Sequence, residues 1–376
     1  LGIWADRVGG KRTIIAWASL VCGIATAGLA WVDARLIWLA VALVAASSLA
    51  FNLCETFTAA FLREIARPYA YGRVSGWGWS FGYLGGMLTL GLSLAWVLKA
   101  KAMGQSASEF VPVTLWIVAF VYVAVSLPAL AVLKERQGTG SSADEGLENL
   151  DEARQTGNGA DWSGGWLRLR MSWKRTEALA DLRILLYCCV AYHAGIFVVI
   201  TLAAVYAEQV MGFQQTETMT LVFLVNIAAA LGAFFFGRVQ DKLGGRPALA
   251  ITLVSWILMV IIAVLGQSRE SFWVAATLAG LNMGSSQSAG RAMVAQLAPI
   301  GRQSEIFALW GFALRIAAIL GPVCYGLLVW LTEGQQRIAL AFVGLFFVLA
   351  LWLLARIDLP RGIKAAFDSA PFRENF

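Results

Sequence analysis

Three charged side chains stand inside stretches that carry no other charge. Glu55 interrupts residues 36–62, Arg291 interrupts 272–297, and Arg315 interrupts 306–332. The single histidine, His193, falls in the apolar run 184–207. A charge kept inside such a run is expensive in lipid and marks a pathway, an ion pair or a proton step. Asn52 precedes Glu55 by three residues and Gln287 precedes Arg291 by four, so each amide shares a helical face with its charge. Asn52, Glu55, Gln287, Arg291 and Arg315 are therefore the candidate substrate or cavity residues. One acid against two arginines leaves a positive charge that a carboxylate or phosphate of a solute would satisfy. The competing reading is that Arg291 and Glu55, each about two turns from a helix end, simply reach the membrane surface. Glu55 and His193 are the candidate proton-coupling groups, although a lone helical histidine also serves by hydrogen bonding a neighbour. Enzyme chemistry is not expected: one His and five Cys with no C-x-x-C provide no triad, metal cluster or disulfide framework. Neither a metal nor a cofactor is expected.

The elements that hold these residues follow from composition. Hydrophobic residues make up 59% of the 376 and charged ones 14%, well outside the range of soluble domains. Ten stretches of about 20 residues are long enough to cross a bilayer: 14–32, 36–62, 76–98, 111–133, 184–207, 218–237, 248–268, 272–297, 306–332 and 338–355. In lipid each must close its own backbone hydrogen bonds, so the expected fold is all-α. Placing residues 1–13 in the cytoplasm and alternating puts 22 of the 29 Lys and Arg on cytoplasmic connections and 5 outside. That is the positive-inside pattern. The net charge of +6 thus reports topology, and no nucleic-acid partner is expected.

The expected organisation is a membrane bundle over 1–133, a cytoplasmic linker over 134–183, a second bundle over 184–355 and a cytoplasmic tail over 356–376. The linker opens Gly-, Ser- and Glu-rich, as flexible spacers do. From Trp166 to Arg175 it mixes aromatic and basic residues, which suits either an amphipathic helix on an anionic leaflet or a lead-in to the next span. The two bundles repeat: Gly2-x-x-x-Asp6-Arg7-x-Gly9-Gly10-Lys11 recurs as Gly237-x-x-x-Asp241-Lys242-x-Gly244-Gly245-Arg246, an offset of 235. The same offset lays Gly76 on Gly311, Gly86 on Gly321 and Asn52 on Gln287. Carried backwards, it calls for two more helices ahead of Leu1, so twelve helices in six plus six are expected. A chain lacking the first two is not expected to transport. The glycines at 76, 78, 82, 85 and 86 read as a packing stripe between moving helices.

The two G-x-x-x-D-R/K-x-G-G-K/R loops resemble the loop motif of the major facilitator superfamily. The run Gly72-Arg-Val-Ser-Gly-Trp-Gly-Trp-Ser-Phe-Gly-Tyr-Leu-Gly-Gly86, with Gly284-x-x-Gln287-x-x-x-Arg291, Pro299, Glu305-x-Phe307, Arg315 and Gly321-Pro322, resembles its vacuole-effluxer-like branch. That branch is named for a fungal vacuolar amino-acid exporter. The resemblance implies that the loops, through Gly2, Asp6, Arg7, Gly10, Lys11 and Gly237, Asp241, Lys242, Gly245, Arg246, form a conformational latch stabilising the outward-facing state. Their carboxylates would pair with basic neighbours and cap a helix N-terminus. It also implies that the helices of Glu55 and Arg291 face a central cavity, with Glu55 paired to Arg291 or Arg315 across the inner gate.

The sequence therefore reads as a secondary active transporter of small organic solutes working by alternating access, with amino acids as the favoured solute and protons as a candidate coupling ion. The alternatives are an exporter of drug-like amphiphiles and a non-transporting membrane receptor or scaffold. Its expected partners are a small-molecule solute and the lipid bilayer, as a monomer in the cell membrane.

Overall fold

The computed structural model describes residues 10–133 and 169–369. Gly2, Asp6 and Arg7 of the first loop copy, and most of the linker, lie outside them. Among the described residues there are ten long helices: α1 (Lys11–Gly28), α2 (Ile37–Ala60), α3 (Tyr71–Ala102), α4 (Ala107–Val132), α5 (Ala180–Gln209), α6 (Gln215–Leu243), α7 (Gly245–Leu265), α8 (Arg269–Leu297), α9 (Gln303–Leu331) and α10 (Gln336–Ala355). A shorter helix, α11 (Leu359–Asp368), follows. Most begin or end beyond their apolar run, because helix termini can stand at the polar membrane surface while only the middle needs an apolar exterior. Thus α5 starts at Ala180, ahead of the run beginning at 184. Termini are closed by side chains: Ser106 with Glu109 and Gln214 with Glu217 form capping boxes, and Ser268 accepts from the Ser271 amide.

Nine of the ten long helices are apolar enough to cross a membrane. The exception is α8, rich in Gly, Ala and Ser and bearing Arg291, and it is the most enclosed: Phe272, Asn282, Ser286, Gln287 and Leu297 are all buried. Little of its surface is left for lipid, the exposed Val274 and Leu281 being apolar, and its polarity faces protein. The outer helices show the reverse, with Trp38 83% and Phe120 75% exposed, as side chains against acyl chains should be. Small residues let α8 seat against α6. A Cβ at Gly284 would strike the Ala229 carbonyl, and one at Gly232 the Leu281 carbonyl, so backbones meet where side chains would otherwise hold them apart.

The helices before and after the linker meet along two lines: α3 packs on α6 and α8, and α2 packs on α9. The helix ends that carry Asp241, Lys11, Arg63, Ala298 and Ala355 gather at one end of the bundle, called here the loop end. There residues 169–174 are helical, and Trp173 packs edge-on to Tyr187 of α5 at 5.6 Å. Helix α11 is strapped to the base of α5: Asp181 Oδ1 accepts from the Asp358 amide at 2.8 Å and from Arg361 Nη2 at 2.7 Å. This carboxylate holds the Arg361 guanidinium above its ordinary pKa, first through the hydrogen bond and then through charge.

Two outcomes are expected. Gly284→Leu should lower stability by about 1–3 kcal/mol, the usual result of overpacking, while Gly86→Ala, whose added Cβ meets nothing within 4 Å, should leave thermal denaturation in detergent nearly unchanged. Asp181→Asn should speed amide exchange over residues 359–368 without affecting α8.

Candidate functional site

The loop end is closed by hydrogen bonds that run between the two helix sets. The first turn of α3 presents backbone N–H groups with no partner in their own helix. Asp241, at the end of α6, supplies one: Oδ1 accepts from the Gly72 amide at 2.9 Å and Oδ2 from the Arg73 amide at 3.1 Å. Arg73 Nε adds an ion pair at 3.4 Å. This approach requires bare backbone, since a Cβ at Gly76 would strike the Ala233 carbonyl and one at Gly237 would crowd Gly72. Nearby, Arg63 donates to the Ala298 carbonyl, and Ser75 Oγ donates to the Ser288 carbonyl at 2.9 Å. Asp241 thus caps a helix of the other set, while other loop residues bond within their own. Arg246 donates to the Ala355 carbonyl at 2.7 Å, Lys11 pairs with Glu64 at 2.7 Å, and Gly245 packs by Met293. Gly10, at φ 106°, opens α1, and Lys242 is exposed.

Deeper in the bundle the intramembrane charges take different partners. Glu55 Oε2 accepts from Arg315 Nη2 at 2.9 Å, joining α2 to α9. Arg291 instead turns to α3, donating from Nε to Ser75 Oγ at 3.0 Å and from Nη2 to the Ser75 carbonyl at 2.7 Å. Its guanidinium also lies 5.7 Å from the centre of the Trp79 ring, within cation–π range. Of the two partners expected for Glu55, the structure selects Arg315. Gln287 accepts a hydrogen bond from the Tyr83 hydroxyl, and Asn52 Oδ1 is buried with no hydrogen-bond partner. His193 is fully enclosed in α5, its Nδ1 3.0 Å from the Cys189 carbonyl and its ring against Tyr192.

Away from the loop end lies a cavity of about 400 Å³. Its walls come mainly from α5, α6 and α8, with Met259 and Ala263 of α7, Tyr325 of α9 and Leu340 of α10, and with Trp79 and Tyr83 reaching in from α3. Of the residues singled out from the sequence, Gln287 lines it, whereas Asn52, Glu55, His193, Arg291 and Arg315 do not. Sequence reasoning missed Ser75, Trp79, Tyr83 and Arg63 as partners across the sets. Trp79 and Tyr83 sit one turn apart on α3, which signals a shared face, but nothing local says what that face meets. The expected glycine stripe packs only in part: Gly76 and Gly78 have neighbours, and Gly82, Gly85 and Gly86 have none within 4 Å.

Two helix sets joined by tight helix pairs, sealed at one end and hollow beyond, define a multi-pass membrane protein with the major facilitator fold. Solved structures share it: the proton:xylose symporter XylE superposes with a TM-score of 0.72 at 15% identity, over 95% of this chain and 82% of that one. The human organic anion transporter MFSD10 gives 0.67 at 16% identity, over 94% and 79%. The family described as vacuole effluxer Atg22 like matches residues 1–367, and the chain belongs to it. The uncharacterized MFS-type transporter YxiO of Bacillus subtilis is 22% identical over 94% of this chain and 79% of its own length. Autophagy-related protein 22 of Cryptococcus neoformans is 26% identical over 57% of this chain, and the match spans 41% of that fungal protein. Membership places the chain among membrane transport proteins.

The Glu55–Arg315 pair is 26% and 42% exposed at its side chains, so screening limits its strength. A double-mutant cycle with Glu55→Gln and Arg315→Gln, read by thermal denaturation, should give a coupling energy of up to about 1 kcal/mol. Glu55→Gln with Arg291→Gln should give a smaller one.

Proposed function

We propose that this chain is a secondary active transporter of a small organic solute, working by alternating access and held here with its loop end shut. The observation that carries the reading is the cross-set bonding of Asp241 to Gly72 and Arg73 at one end, with a cavity away from it. In alternating access the two sets rock about a midplane site, and separating them would uncap α3 and break the Arg63–Ala298 contact. A carboxylate cap suits this use because it stabilises the helix terminus it meets yet leaves with its own set.

The positive-inside pattern supports placing the loop end in the cytoplasm, which makes this the outward-facing state of a cell-membrane protein acting as a monomer. The solute is a small carboxylate-bearing molecule such as an amino acid. Among the described residues Arg291 forms no salt bridge, being held by Ser75 and Trp79, so its charge is available to an anionic group once the seam opens. MFSD10 is itself named an organic anion transporter. Glu55 and His193 remain the groups for proton coupling. A second reading, export of drug-like amphiphiles, draws on the apolar walls of the cavity.

Proteoliposomes of the protein expressed from its complete gene should show saturable uptake of labelled amino acids. Uptake should fall at least tenfold in Arg291→Ala and in Arg315→Ala, and an imposed pH gradient should stimulate it. Asp241→Asn should weaken the closed loop end, detected as greater thiol labelling of a cysteine placed at Ala298. Ligand binding without flux would replace the transporter with a receptor.

A further inference from the structure

The short helix over residues 169–174, at the base of α5, takes no part in the seam or the cavity. Its inner face is fixed. Leu169 and Trp173 pack on the core of the later set, and Ser172 and Thr176 are buried. Arg183 of α5 clamps the turn that follows, donating from Nη2 to the Trp173 carbonyl and from Nε to Thr176 Oγ1, both at 2.8 Å. Its guanidinium also lies 5.0 Å from the centre of the Trp173 ring. The outer face is different. Arg170, Met171, Lys174 and Arg175 are all exposed. The Arg175 amide still donates to the Met171 carbonyl at 2.9 Å, so helical spacing reaches it, and the pairs 170/174 and 171/175 stand side by side. Among the described residues these three cations form no salt bridge, because the nearby Glu177 carboxylate lies 3.7 Å from Arg183.

Two aromatic side chains set the depth of this face. Cys188 of α5 donates to the Ala350 carbonyl of α10 at 3.3 Å, which puts the two residues level. Tyr187 and Trp352, one and two residues nearer the loop end, therefore share a depth, and they are 53% and 50% exposed. Exposed Tyr and Trp of a membrane bundle gather at the boundary between acyl chains and headgroups. Arg183 and Arg356 stand one turn further towards the loop end, and Arg356 stacks on Trp352 at 3.6 Å. That level is the headgroup layer. Because Trp173 lies against Tyr187, the short helix is held there, on the open side of α5, with its cations outward.

We infer that the outer face of residues 169–175 is a docking surface for the headgroups of anionic phospholipids, with Arg170, Lys174 and Arg175 meeting the phosphates and Met171 the adjoining acyl region. Charge complementarity selects the occupant: unpaired cations at headgroup depth attract an anionic leaflet and gain little from a neutral one, and an apolar side chain among them suits a helix lying in the interface. Of the two uses open to the stretch 166–175, this assigns the first. The surface is separate from the solute path.

Amide hydrogen exchange of the protein in nanodiscs reads this contact in place. Discs of phosphatidylglycerol are compared with discs of phosphatidylcholine carrying the same acyl chains. Exchange over residues 169–175 should be about fivefold slower or more in the anionic discs, fivefold being the effect of one basic residue near an anionic surface. The difference should shrink in about 1 M salt, where screening acts within about 3 Å. It should vanish in the triple variant Arg170→Gln, Lys174→Gln, Arg175→Gln and persist in Arg170→Lys with Arg175→Lys, which keeps the charge. Equal exchange of the unaltered protein in the two kinds of disc would overturn the surface, and that comparison needs no variant to fold. A difference that survives in the triple variant would place the lipid contact elsewhere and overturn it as well. Inorganic phosphate or soluble poly-glutamate, added to phosphatidylcholine discs, should give no protection. Protection equal to that by phosphatidylglycerol would make the occupant a soluble anion and overturn the assignment to lipid. Because exchange is read without flux, these failures are distinct from a failure of amino-acid uptake.

Discussion

The contact on which the arrangement rests is the approach of α3 to α6. In a bilayer, helices gain nothing by hiding apolar side chains from lipid, so backbone proximity and polar contacts must hold them together. At this seam glycines at 72, 76 and 237 remove the side chains that would separate the two backbones. The Asp241 carboxylate then satisfies two amides of α3 that its own helix cannot. Closeness and capping depend on each other. Without the glycines the carboxylate would not reach, and without the carboxylate the first turn of α3 would be brought against another helix with its donors unpaired.

From that seam the polarity of the bundle is organised inward. The long helix with least apolar character, α8, sits between α6, α7 and α3 and spends its polar groups on protein: Arg291 on Ser75, the Ser288 carbonyl on Ser75 Oγ, and Ser286 on Trp256 Nε1 at 3.2 Å. An arginine in hydrocarbon is unfavourable unless it is hydrogen-bonded in good geometry. Two bonds to one serine and an aromatic face meet that requirement without an acid, which is why Glu55 can turn to Arg315.

The helices were legible because apolar runs and basic connections obey rules that hold along the chain. The repeat was legible because its offset is constant. Side-chain partners were less so. Asp241 suggested a cap from its type and place, but the helix it caps lies 169 residues earlier and no local pattern names it. Glu55 had two candidate partners, because sequence depth does not reveal which way a long guanidinium turns. The polarity of residues 272–297 was visible, yet its cause, enclosure by three other helices, is a property of packing.

The offset of 235 also explains why the cavity lies where it does. It carries the contact of Thr56 with Gly311 onto that of Arg291 with Gly76, and Arg291 does bond Ser75, next to Gly76. The pairs α2–α9 and α8–α3 are therefore copies of one interface. Their chemistry has diverged. Glu55 and Arg315 form an ion pair on the first, while the same positions on the second are Gly290 and Ser80. Conversely, Trp79 and Tyr83 on the second correspond to Leu314 and Ala318 on the first. The aromatic pair can pin Arg291 and wall a cavity only on its own side. Two interfaces with one backbone geometry thus carry separate tasks, a charge pair between sets on one and an apolar chamber on the other, and each can change by substitution without altering how the helices pack.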